Sequence, residues 1–334
     1  ATVASARVYL GILLTTSIGL LLPAIIWTYV AAGTLEFTPG GILAGNVEGP
    51  LLGLLLALYV FGIGKAAVMP VHRWLPAAMV APTPVSALLH AVAVVKAGVF
   101  AILKVLLYVF GIDYLFAEPT SGWLVYAAAF TIIVASIVAL RQTNLKRMLA
   151  YSTVGQLSYV VMAAAVLKPL AEVGAAMHIV AHAFGKITLF FAAGAIYTAS
   201  KKTELADLAG IGRRMPWTMA AFTVGALSMI GVPPTGGFVS KWYILAGAFE
   251  ADNYVAIFTI IASTVLNAAY FLPIVYAAWL LPESSAPGKE HGEAPWPIVL
   301  AVTATALLSL ALFFFNQPIV DLERQLVAPI GDMP

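Results

Sequence analysis

His178, His182 and Lys186 recur at steps of four inside an apolar run from Val173 to Ala199. On a helix each such step advances about 40°, so the three side chains form one stripe about 80° wide. The rest of that run is mostly Ile, Val, Phe, Leu and Ala, so titratable groups stand where hydrocarbon is expected. Imidazole exchanges protons near neutral pH, and a membrane tolerates such a stripe only where it faces protein or water. The chemistry this pattern suggests is proton transfer along a buried row.

Lys65, His90, Lys96 and Lys241 also fall inside predicted spans, whereas the 15 acidic residues fall in loops, at span ends or in the C-terminal tail. A lysine at bilayer depth costs at least ~2.5–3.5 kcal/mol on insertion scales, so four are a heavy load without a purpose. Desolvation and mutual repulsion bring such amines into the range where they trade protons near neutral pH. Several neighbours have simpler explanations. Lys104, one turn from a span end, reaches the interface by its stem. His72 and Arg73 are interfacial. His90 and Lys96, six positions apart, need not share a helix face, and a lone His90 also fits an interhelical hydrogen bond. Asn267 reads as glue between helices.

The elements that must position these groups follow from composition. The 334 residues are 62% hydrophobic and 10% charged, with mean hydropathy +0.97, against about 25% charged in soluble domains. The chain therefore reads as an all-α polytopic membrane protein of about nine spans near 8–32, 51–80, 84–110, 122–140, 148–167, 172–199, 216–249, 254–281 and 296–315. Two are broken, at Met69-Pro70 with Trp74-Leu75-Pro76, and at Val232-Pro233-Pro234-Thr235-Gly236-Gly237, each with a lysine close by. Broken helices at membrane depth are acceptable only against protein or a hydrated cavity, and their recurrence in two halves points to inverted repeats.

Loop charges alternate. Arg7, Arg141, Lys146, Arg147, Lys201, Lys202, Arg213 and Arg214 fall on one side, and Glu36, Glu48, Asp113, Glu118, Glu250 and Asp252 on the other, with Lys168 the exception. The positive-inside rule places the N-terminus in the cytoplasm and the C-terminus outside. Cysteine is absent, which removes disulfides and cysteine-ligated clusters. No phosphate-binding glycine loop, zinc-protease motif or nucleophile–base–carboxylate set is visible, and no third ligand accompanies His178 and His182, so no metal or cofactor is expected.

The segments Gly64 to Met79, Ala81 to Ala91, Asn144 to Ser152, His178 to Lys186 and Pro233 to Lys241 resemble the antiporter-like proton-translocating subunits of complex I, membrane-bound hydrogenases and Mrp Na+/H+ antiporters. The wording of Gly236 to Tyr243 is nearest the Mrp D-type subunit. The resemblance implies about fourteen helices in two inverted five-helix repeats, of which the first five helices would lie outside this chain. It divides the chain into residues 1–110, the C-terminal part of a first repeat, 111–282, a second repeat, and 283–334, a final transmembrane helix and tail. It implies that Lys65 is the central lysine of a first half-channel with Lys96 its partner in the next helix. His90 becomes a connecting histidine, Lys186 the central lysine of a second half fed by His178 and His182, and Lys241 the terminal lysine. A glutamate that pairs with Lys65 would come from a missing segment or another polypeptide.

The function these readings imply is proton translocation in a multisubunit complex of the plasma (inner) membrane, most simply exchange for Na+ in an Mrp-type antiporter. The alternatives are a pumping subunit of a complex I-like oxidoreductase or hydrogenase, and an inorganic-carbon or other solute transport subunit. The chain itself holds no redox centre; its partners are other membrane subunits, lipid, H+ and possible Na+, and no nucleic acid.

Overall fold

Uninterrupted runs of about twenty apolar residues must satisfy every backbone amide internally, and helix is the only open-chain solution in lipid. The computed structural model, which describes residues 2–283 and 292–327, bears this out: no strand occurs among the described residues. Among the described residues seven helices are long and apolar enough to cross a membrane: α1 (Val3–Ala32), α3 (Thr83–Phe110), α4 (Pro119–Leu140), α5 (Leu145–Ala165), α6 (Pro169–Ser200), α9 (Tyr254–Leu280) and α10 (Trp296–Phe314). Two interrupted elements complete the expected set. One is α2 (Pro50–Gly62) followed by short turns through residue 80; the other is α7 (Pro216–Ile230) with α8 (Gly236–Glu250). A last helix, α11 (Gln317–Val327), is short and amphipathic. The chain is an integral multi-pass membrane protein.

The connecting loops sort by charge as the sequence suggests. Leu145 and Leu205 amides bond the Thr203 and Thr143 carbonyls, and the Gly210 amide bonds the Ala277 carbonyl, which gathers the basic loops at one end. At the other end the Ile42 amide bonds the Val109 carbonyl, and a cavity brings Glu118, Ala165 to Leu167 and Asn253 together. We call these the basic and acidic sides. At the basic side Asn144 caps α5 and donates to Glu204 at 2.9 Å; that hydrogen bond, then one from Thr143, holds the Glu204 carboxyl below its ordinary range.

Both breaks carry a cis X-Pro peptide, and both return their freed backbone groups to side chains. In the first, the Trp74 indole donates to the Gly64 carbonyl (2.8 Å) and Thr131 receives the Met69 amide (3.2 Å). In the second, Gly231 turns with φ +88°, which a side chain rarely adopts, and Ser228 receives the Gly237 amide (3.3 Å).

Helix α5 is the centre, with 89% of its apolar window buried against 11% for α1. Along α5 and α6 the packing falls into three levels. Met148 to Ala150 with Leu189, Phe190, Ala192, Ala193, Ala195 and Ile196 join one apolar cluster toward the basic side; Val154, Leu157, Tyr159 to Ala164, Ala171 and Ala175 join another toward the acidic side. Between them lie Ser152, Thr153, Gln156, His178, His182 and Lys186, all buried. A polar seam at mid-depth is thus sealed by hydrocarbon above and below.

Candidate functional site: a buried lysine and histidine seam

Side chains from α3, α5, α6, α7, α8 and α9 meet in this seam. The Lys96 amine of α3 lies 2.5 Å from His182 Nδ1. At that separation amine and imidazole are in hydrogen-bond contact, and which nitrogen donates depends on the tautomer of the ring. His182 Nε2 has no partner among the described residues, so it is the free end of the pair. The His182 ring lies 6.1 Å from that of His178, which stacks on Tyr159 at 5.4 Å.

His178 is held at both nitrogens. Nε2 is 3.1 Å from Gln156 Oε1 and Nδ1 is 2.8 Å from Ser240 Oγ. The Gln156 amide nitrogen donates to the Met229 carbonyl at 3.1 Å, which fixes Oε1 as the atom facing His178, so Nε2 must carry a proton. Ser240 can also donate to the Gly237 carbonyl (3.1 Å). Its hydroxyl can therefore donate to the Nδ1 of neutral His178 or, with its hydrogen turned to the Gly237 carbonyl, accept at Oγ from a doubly protonated ring.

The second break supplies the far end. Lys241 donates to the Met229 (3.0 Å) and Ile230 (2.8 Å) carbonyls, the unpaired end of α7, and lies 4.8 Å from the Tyr159 ring centroid. A helix C-terminus carries partial negative charge, so it holds an ammonium without any carboxylate. The Met229 carbonyl also receives Asn267 Nδ2 at 3.3 Å, and the Tyr270 hydroxyl donates to Asn267 Oδ1 at 2.6 Å and lies 3.0 Å from Ser152. Lys186 is fully buried, with its amine on the Leu149 carbonyl (3.1 Å) and the Phe271 ring 5.8 Å away.

Among the residues expected from sequence, Lys96, His178, His182, Lys186 and Lys241 come together. His90 sits in a π-helical turn, Leu88–Val92, fully buried, with both ring nitrogens unpartnered and its ring 5.3 Å from that of Phe190. That turn carries one residue more than an α-turn, and His90 and Lys96 both reach α6. Lys65 stands apart: it is exposed on the surface of the chain, in the turn Gly64–Ala66, without a hydrogen bond or ion pair among the described residues. Asn267 does join helices, and in doing so enters the seam.

Gln156, Ser240 and Tyr159 were not expected. A Gln amid apolar residues was the available signal; Ser and Tyr are too common in membrane helices to stand out. Glu172 lies at the end of a span, as expected, in the first turn of α6, which begins at Pro169; what the sequence did not show is that it is 1% exposed, with neither carboxyl oxygen hydrogen bonded among the described residues.

Residues 2–267 match the family described as NADH:quinone oxidoreductase/Mrp antiporter, TM. The chain is 35% identical over 323 residues to NADH-quinone oxidoreductase subunit N of Desulforudis audaxviator, covering 91% of this chain and 63% of that protein. It is 32% identical over 303 residues to subunit L of Campylobacter jejuni, covering 90% of this chain and 49% of that one. Its fold is shared with a chain of the Mrp complex from Dietzia sp. (TM-score 0.85, 23% identity, 99% and 68% covered). It is also similar to a chain of an archaeal membrane-bound sulfane sulfur reductase (TM-score 0.82, 25% identity, 98% and 67% covered). The chain belongs to the family of antiporter-like membrane subunits shared by NADH:quinone oxidoreductases and Mrp antiporters. It spans about half to two thirds of the length of these relatives.

Proposed function

We propose that this chain is a proton-translocating subunit of a multisubunit membrane complex, and that Lys96, His182, His178, Lys186 and Lys241 are its relay, with His90 at the basic side as a feeder. The observation that carries this is the Lys96–His182 contact at 2.5 Å inside a seam with no carboxylate partner among the described residues. Amines and imidazoles crowded this closely repel when all are charged, so fewer protons than sites are held and each arrival displaces another. Carbonyl ends of broken helices serve as resting places, and the Ser240 hydroxyl turns as His178 changes charge.

Lys65 belongs to the same relay on this reading. Its exposed amine at a broken helix is where an acidic residue from another segment or subunit would sit, so that movement of that pair alters the charge held at Lys96. Residues 1–110 and 111–282 would each carry one broken element of an inverted repeat, and the basic side would face the cytoplasm.

The setting we favour is a redox-driven complex of the NADH:quinone oxidoreductase type. The relatives with 35% and 32% identity carry that name, whereas the likeness to the Mrp chain rests on fold. Na+/H+ exchange in an Mrp-type complex is the second reading, supported by the 0.85 TM-score.

The test is flux in reconstituted vesicles containing the whole complex. Lys186→Ala and Lys241→Ala should each abolish proton movement while the complex still assembles; unchanged flux in both overturns the relay. Iron and acid-labile sulfide in the purified complex, with quinone-dependent pumping, support the redox setting. Na+-driven proton movement without such clusters supports the Mrp one.

A further inference from the structure

The basic side holds a cavity of about 830 Å³ that none of the relay residues lines. It lies between the first turns of α3, α5 and α10 and the last turns of α6. Val80 and Tyr197, also in its wall, are exposed, so it opens on the outer surface of the chain.

The wall changes character along its length. Within the helices it is hydrocarbon, from Phe190, Phe191, Ala193, Gly194, Ile298 and Ala301. Where the loops begin, two amines are brought together. Asn144 and Glu204 form an antiparallel bridge, and the Leu145 amide bonds the Thr203 carbonyl at 2.9 Å. The next residues in that register are Lys146 and Lys202, and both line the cavity. The Lys146 amine donates to the Ala81 carbonyl at 2.7 Å, which leaves two of its three N–H groups for another acceptor. The Lys202 amine has no hydrogen bond or ion pair among the described residues. No acidic side chain lines the cavity; Glu204, on the far side of the bridge, is bonded by Asn144. Two ammonium groups gathered in one opening without a carboxylate repel each other and favour an anion between them.

The depth of the cavity selects the kind of anion. Along α6, residues 190–200 rise about 15 Å. That is half of a hydrocarbon core about 30 Å thick, the share of one leaflet. A free phosphate would meet the amines and leave the apolar slot unfilled, whereas a lipid with an acidic head and a hydrocarbon tail matches both parts.

We propose that this cavity binds an anionic phospholipid of the leaflet on the basic side. Its phosphate lies between Lys146 and Lys202, where both amines make charge-assisted hydrogen bonds to it, and one acyl chain runs along Phe190 and Ile298. An acidic headgroup is the ligand that a basic pocket between helices on a cytoplasmic face is suited to hold. The bound lipid ties the ends of α3, α5, α6 and α10 together, and this site stands whether or not the relay does.

The test uses the whole complex in phosphatidylcholine vesicles with a minor share of phosphatidylglycerol bearing a photoreactive group on its acyl chain. After illumination, cross-links should map to residues 190–198 of α6 and 297–301 of α10. Lys146→Gln and Lys202→Gln should each lower that labelling about fivefold. Ala301→Trp fills the slot but keeps both amines, and should remove it. In the wild-type complex, which needs no variant to fold, excess unlabelled phosphatidylglycerol should displace the probe, and equal excesses of phosphatidylcholine or inorganic phosphate should not. Full labelling in both lysine variants, or equal displacement by phosphatidylcholine, overturns recognition of the acidic head. Displacement by inorganic phosphate assigns the amines to a free anion and overturns the lipid. Absence of label from both helices in the wild-type complex, as when another subunit fills the groove, overturns the site.

Discussion

At the scale of single residues, the seam works by giving each nitrogen one well-defined neighbour and then leaving one end free. Gln156 is the residue most committed in this way, because it bonds His178 and the Met229 carbonyl at once. Gln156→Leu keeps the volume but leaves the His178 Nε2 unpaired, a buried loss of about 1–3 kcal/mol. The expected outcome is a lower thermal midpoint of the purified complex together with slowed proton flux. Gln156→Glu should behave differently: a carboxylate beside His178 holds that ring protonated, so flux falls while the thermal midpoint stays near wild type. Flux assays and thermal unfolding on the two variants separate these effects.

At the scale of helices, close approach and docking matter more than propensity. Helix α8 approaches α6 through Gly247, whose missing side chain leaves no more than contact distance to Ala171. Gly247→Leu should push the pair apart, costing roughly 1–3 kcal/mol as overpacking does and breaking the His178–Ser240 alignment. Hydrogen exchange at α8 should rise and flux should fall. Helix α11 docks against α6 near Met177 to Phe184 through Ile319, and it buries Glu323, whose carboxyl is pushed up to about 8 by burial. An acid with a raised folded value binds its proton more readily in the docked state than when released. Docking is therefore complete below the ordinary carboxyl range of about 4.5 and weakens as pH rises through about 8. Protease protection of α11 should decline across that window, and Glu323→Gln should remove the decline.

At the scale of the whole molecule, the sorting of loops into a basic and an acidic side sets direction. The chain has no cysteine, so one introduced cysteine reports one side without a background. Lys202→Cys should react with a membrane-impermeant maleimide only from the cytoplasm, and Asp252→Cys only from outside. The reverse pattern would invert the proposed direction of transport. The layered packing has a parallel consequence: hydrocarbon above and below the seam limits entry to the two ends, so leak should be low when the relay is interrupted.

The span count, the two breaks, the alternation of loop charge and the Lys and His stripe of α6 were all legible in the sequence. Each depends on spacing or composition within one segment, and hydrocarbon imposes helix on any such segment. What only the tertiary structure decided was which groups touch. Lys96 and His182 are 86 positions apart, and Gln156 and Met229 are 73 apart, so no periodicity could pair them. His90 and Lys96 were also brought to one partner helix by a π-turn that ideal 100° steps do not contain. That Glu172, in the first turn of α6, is only 1% exposed likewise depends on the elements packed around it and on nothing in its own segment. Lys65 and Lys186 look alike as isolated buried lysines, yet one is exposed and the other sealed. That difference arises because burial is a property of neighbouring helices, whereas hydropathy belongs to the segment alone.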